Sequence, residues 1–80
     1  MLNKRFSERL NRELDDIGVP EITADRIEVL AKLLKIPKFK AESLLNGITN
    51  HDDALLNTLA EELEVNAEWL IGKSDSKSAH

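Results

Sequence analysis

Four lysines, Lys32, Lys35, Lys38 and Lys40, fall within residues 31–41, and no acidic residue lies among them. Ammonium groups this closely spaced suit the neutralisation of a polyanion, such as the phosphates of a nucleic acid. A solvated helix surface accounts for the same residues if nothing binds there. Other chemistries find little support in the residue types. The chain has no cysteine, which removes thiolate metal sites and disulfides. His51 and His80 stand far apart without a partner at ligand spacing, so no metal site is expected. Ser7, Ser43 and the acidic pairs Asp15-Asp16 and Asp52-Asp53 read as caps and surface, not as a nucleophile with its base or a carboxylate pair. The expectation is a protein that is not an enzyme, with no cofactor and no small-molecule ligand evident.

Composition agrees with a folded binding domain. Eighty residues, 41% hydrophobic and 32% charged, allow one domain with one small core. Phe6, Phe39 and Trp69 are the only aromatics, too few for a platform on which single-stranded bases stack. The net charge is −4, yet it is unevenly spread. Residues 1–50 carry nine Lys/Arg against eight Asp/Glu, net +1, whereas residues 51–80 carry two against seven, net −5. One surface thus suits an anion and the other faces away from it, although a solvated acidic helix explains the second half equally well. No apolar signal region and no run of 18 apolar residues occurs, so a soluble, cytoplasmic protein is expected, without a membrane partner.

Positioning these residues falls to helices, since apolar positions recur at helical spacing and no alternating strand pattern occurs. Phe6, Leu10, Leu14 and Ile17 make one stripe, which Gly18 ends, and Val19-Pro20 keeps the chain extended. Thr23 suits the N-cap of a second helix with Ile27, Leu30, Ala31 and Leu34 inward. Pro37 opens a third, with Ala41, Leu44 and Leu45 inward and Gly47 as its stop. Asn50 or Asp52 caps a fourth, carrying Leu55, Leu56, Leu59, Ala60 and Leu63. Asn66 caps a short fifth over 67–71, stopped at Gly72. The chain divides into an all-α domain over 1–72 and a flexible tail over 73–80 that has no apolar anchor.

About three residues join the second and third helices, too few for antiparallel packing. Helices so joined cross steeply, as in a helix-turn-helix. Ala31 and Ala41 are small enough for the crossing, with Leu34, Ile36 and Leu44 around them. The outer face of the third helix is then Lys38, Phe39, Glu42, Ser43 and Asn46, the face that enters the major groove in a helix-turn-helix.

Leu30-Ala31, Leu34, Ile36, Ala41, Leu44 and the closing Leu45-Asn46-Gly47-Ile48 resemble the lambda-repressor-like helix-turn-helix family of phage repressors and Cro-type regulators. "LLNTLAEELEVNAEWLIG" is similar to that family's fourth and fifth helices, and "FSERLNRELDDIG" to its first, so the resemblance spans about residues 6–72. It implies a compact five-helix DNA-binding domain acting as a homodimer on double-stranded DNA, with a recognition helix at about 37–46. It places Lys38, Phe39 and Ser43 at base edges, and Asn46 and Thr49 where the following loop meets backbone or base. It sets the start of the second helix, near Arg26 and Ile27, against phosphate, and builds the dimer from the region of Trp69, Leu70 and Ile71. The sequence departs from the family where Lys35 replaces a turn glycine, Pro37 a hydroxyl cap, and Ile27 a frequent glutamine. A lysine held left-handed at 35 costs on the order of 1 kcal/mol.

Some side chains have two readings. Lys40 is expected nearer the second helix and suits phosphate. Phe39 can cover the turn, meet a thymine methyl or mark a protein interface, and partial exposure is expected. Glu42 can accept from a base amino group, but pairing with Lys38 one turn away is the simpler expectation. Trp69 seals the core or faces a twin, or does both. The alternative function is a helix-turn-helix fold used as a protein-interaction module, an antirepressor or adaptor.

Overall fold

Apolar residues at helical spacing, each series closed by a left-handed residue, divide the chain into five helices. A computed structural model describes residues 3–48 and 53–78. The helices are α1 (Lys4–Asp16), α2 (Thr23–Leu34), α3 (Lys38–Leu45), α4 (Asp53–Leu63) and α5 (Ala67–Leu70), and the described residues contain no strand. No helix among them is long and apolar enough to cross a membrane. The capping of α4 expected at Asn50 or Asp52 lies outside the described residues.

Each helix sends at least one side chain into a common core. Phe6, Leu10 and Leu14 of α1, Leu30 of α2, Leu44 of α3, Leu59 of α4 and Leu70 of α5 are fully buried. Burying a side chain of this size stabilises by roughly 1.5–3 kcal/mol, so these seven dominate the apolar contribution. The small side chains Ala31 and Ala41 are buried as well, where α2 and α3 make the most extensive helix contact in the molecule. Ile17, expected in the stripe of α1, is instead exposed, because the helix has ended and Gly18 (φ +84°) turns the chain away.

Residues 35–37 carry the chain from α2 to α3. Lys35 takes the left-handed conformation (φ 57°, ψ 47°), and the Ile36 N–H donates to the Ala31 carbonyl at 3.0 Å. The turn thus keeps the sharp geometry of a glycine C-cap while presenting a charged side chain. Pro37 is the N-cap of α3 rather than its first residue. Ile22, not Thr23, caps α2; Thr23 is the first helical residue, and no side chain caps that end.

Asn3 ties three elements together. Its Oδ1 accepts from the Phe6 N–H at 3.0 Å, its Nδ2 donates to the Ile71 carbonyl at 2.8 Å, and its N–H donates to the Gly47 carbonyl at 2.7 Å. The start of α1 is thereby fixed to the ends of α3 and α5.

Two expectations are corrected here. Arg26 is buried, and its guanidinium donates to the carbonyls of Pro20 (2.9 Å), Val19 (3.1 Å) and Asn11 (3.2 Å), to Asn11 Oδ1 (3.1 Å) and to Asp15. A side chain so engaged ties α2 to α1 and the loop between them; it has no donor directed at a phosphate. The tail is not loose through residue 78. The Arg9 guanidinium donates to the Ser74 carbonyl (3.2 Å), the Asn66 N–H to Lys77 (2.8 Å), and Val65 bridges Ser78. Lys77 Nζ lies 3.0 Å from the buried carboxylate of Glu13. Main-chain bonds and one ion pair anchor this segment where apolar residues do not.

Candidate nucleic-acid interface

Three inward residues, Ala41, Leu44 and Leu45, turn one side of α3 to the core and leave the opposite side to solvent. Lys38, Phe39, Lys40, Glu42 and Asn46 are all exposed, and Ser43 is half-buried. Phe39 is 68% exposed, which removes the reading that it covers the turn. The Ser43 Oγ donates to the Phe39 carbonyl at 2.9 Å, so its proton is engaged within the helix and its lone pairs face outward as acceptors.

The two lysines lie on opposite flanks of this face. Lys38 lines a cleft with Ala24 and Ile27 of α2, and its charge acts on Glu28 of the same helix. Lys40, two residues and about 200° further round a 3.6-residue helix, lies on the far flank. The expectation that Lys40 faces α2 is therefore reversed. Glu28 is held below the usual carboxylate range, first by the hydrogen bond and charge of Lys32, with Nζ at 3.2 Å, and then by Lys38.

Glu42 does not pair with Lys38 among the described residues, and the charge of Lys38 acts on Glu28 of α2, whose ion-pair partner is Lys32. The Glu42 carboxylate and the Lys38 ammonium thus stand at one rim as separate acceptor and donor. Pro37 gives no side-chain cap; the Lys40 N–H donates to the Pro37 carbonyl at 3.1 Å, and the helix start adds partial positive charge there.

The remaining expected residues scatter. Arg26 is internal, and Ile27 beside it is buried, so that part of the start of α2 is not an anion surface. Asn46 is the exposed C-cap of α3, with its N–H donating to the Glu42 carbonyl at 3.0 Å. Thr49 lies outside the described residues.

At the fifth helix, Leu70 is 1% exposed and faces the core, which removes it from any surface with a twin. Trp69 and Ile71 are half-buried. Two cations stand over the Trp69 ring, Arg9 at 4.6 Å and Lys77 at 5.6 Å from its centroid. Arg9 also donates to the Trp69 carbonyl, so this arginine of α1 is a structural contact and not a solvated charge. The cation pair on Trp69 and the buried Glu13 had no signal in the spacing of the sequence, because they depend on the tail folding back.

Comparison with protein-family models, curated proteins and solved structures found no match to this chain. Among the described residues no group of His, Cys, Asp and Glu could hold a metal ion.

Proposed function

We propose that the protein is a sequence-specific DNA-binding transcriptional regulator of the phage-repressor kind, a binding protein of the cytoplasm and nucleoid and not an enzyme. In this reading α2, the turn at 35–37 and α3 form a helix-turn-helix, and α3 enters the major groove. The observation that carries it is the outer face of α3: exposed except at the half-buried Ser43, flanked by Lys38 and Lys40, and without a side-chain cap at its positive end. Of the flanking cations, Lys40 suits a phosphate wall of the groove, while Lys38, with Phe39, Glu42 and Ser43, suits base edges. A homodimer would repeat the face about 34 Å away on a two-fold operator. The half-buried Trp69 and Ile71, without Leu70, are the surface left for such a twin.

Titration of duplex DNA, enriched from random sequence, at several salt concentrations tests the reading. Lys38→Ala and Lys40→Ala should each weaken binding, and Lys40→Ala should lower the salt slope by about one. Absence of salt-dependent binding to any enriched duplex would overturn it. One observation favours a second reading as a protein-interaction module, an antirepressor or adaptor: Phe39 and Ile22 are each 68% exposed. That reading predicts a partner whose binding is lost in Phe39→Ala and insensitive to the lysine substitutions.

A further inference from the structure

The surface between the starts of α2 and α3 carries three chemistries at close quarters. An open cleft of about 320 Å³ is lined by Ala24, Ile27, Lys38, Phe39 and Glu42. Ala24, Ile27 and the exposed ring of Phe39 make it apolar on one side. On the other stand an ammonium, which can only donate, and a carboxylate, which when ionised can only accept. Neither is bound to the other among the described residues.

The apolar part is small. One aromatic side chain offers about 150–250 Å², against about 800 Å² that each partner gives to a stable protein interface. Lys38 lines it, and lysine is depleted from the cores of such interfaces. Size and charge together favour a small apolar group carried on a polyanion. In the major groove that group is the 5-methyl of thymine, whose base pair presents in order the adenine N7 acceptor, the adenine N6 donor, the thymine O4 acceptor and the methyl.

We propose that the Ala24–Ile27–Phe39 cleft seats the methyl of one thymine, with Lys38 donating to its O4 and Glu42 accepting from N6 of the paired adenine. The inference rests on the DNA-binding reading above and names the base pair that this part of the face selects. A charge that looks unfavourable beside DNA, that of Glu42, then discriminates: guanine offers only acceptors there and leaves it unpaired.

The test uses the full chain and a duplex enriched from random DNA, with each thymine replaced in turn by deoxyuridine, which lacks only the methyl. One thymine per half-site should weaken binding about three- to fivefold when so replaced. Phe39→Ala should bind the thymine and uracil duplexes equally, and Phe39→Leu should keep the preference; both leave the helical circular dichroism unchanged, since Phe39 lies outside the core. Changing that A·T pair to guanine opposite 5-methylcytosine should cost about tenfold. Equal binding of thymine and uracil at every position by the unaltered chain overturns the inference while leaving DNA binding intact. Undiminished binding to the 5-methylcytosine duplex overturns the assignment to thymine. Failure to enrich any duplex removes the DNA-binding reading itself, and this inference with it.

Discussion

Replacing Arg26 by alanine separates a structural arginine from a phosphate contact. Its side chain is 6% exposed and bonds to Asn11, Val19, Pro20 and Asp15. A hydrogen bond to a charged group contributes about 1.5–3 kcal/mol net. The carbonyls of the exposed Pro20 and half-buried Val19 recover water once the guanidinium is gone, so their share falls well below that range. Asp15 is 48% exposed, and screening limits its pairing to about 1 kcal/mol or less. The two bonds to Asn11, which tie α2 to α1, carry most of the remainder. The loss is then about 3–4 kcal/mol, from a total of about 4–12 kcal/mol for a chain this long. Melting should drop by on the order of 15 °C, and the urea midpoint should fall with little change in slope. Arg26→Lys keeps the charge without the fork and should lose about half as much. Under conditions where Arg26→Ala is folded, its salt slope for DNA should match that of the unaltered chain. A stability loss under about 1 kcal/mol, with a salt slope lower by about one, would refute the reasoning and return Arg26 to the DNA surface.

Gly47→Ala should cost about 2–4 kcal/mol in urea titration, because φ is +92° and an added Cβ would lie 2.6 Å from the Asn3 carbonyl oxygen; a cost below 0.5 kcal/mol would mean that this contact can open freely. Glu28 should titrate below the ordinary glutamate range by NMR, and Lys32→Met should raise it more than Lys38→Met, with the reverse order counting against the assigned causes. Because that carboxyl is depressed in the folded chain, its contribution to stability is present above the unfolded value and is lost as pH falls through the lower folded one. Lys77→Met should leave Glu13 buried without its cation and destabilise by about 1 kcal/mol, and adding Glu13→Gln should restore part of the loss. Fluorescence of Trp69, the sole tryptophan, should shift to the red when residues 73–80 are deleted; an unchanged spectrum would show that the segment does not cover the ring.

Helix positions were legible wherever burial follows a repeating apolar pattern. All four inward residues expected for the second helix and all three for the third are buried. Lys35 is expected to be left-handed only through the resemblance, whose turn usually carries glycine there, and it takes that conformation. Patterns fail where polar groups are drawn inward by bonds between distant segments. Arg26 looks like a surface charge in its own helix, and only the inward carbonyls of the loop at 19–20 make its burial favourable. Glu13 is buried because Lys77, far along the chain, returns to meet it. Among the expected interface residues, helical periodicity identified the outer face of α3 but misjudged the flank of Lys40 and the partner of Glu42. Those depend on how α2 and α3 cross, which sets Lys38 beside Ala24 and Ile27 of α2.

The partners of α1 set an order of events during synthesis. Ser7 waits for Leu45, 38 residues downstream; Arg9 for Ser74, 65 residues on; and Asn3 for Ile71, 68 residues on. At about 5–20 residues per second, the ribosome needs about 3 to 14 seconds to deliver that last partner. Of the five helices described, the one made first is thus completed last. For those seconds Phe6, Leu10 and Leu14 have no finished core to enter, which makes their stripe the part of the nascent chain that a holding chaperone would meet.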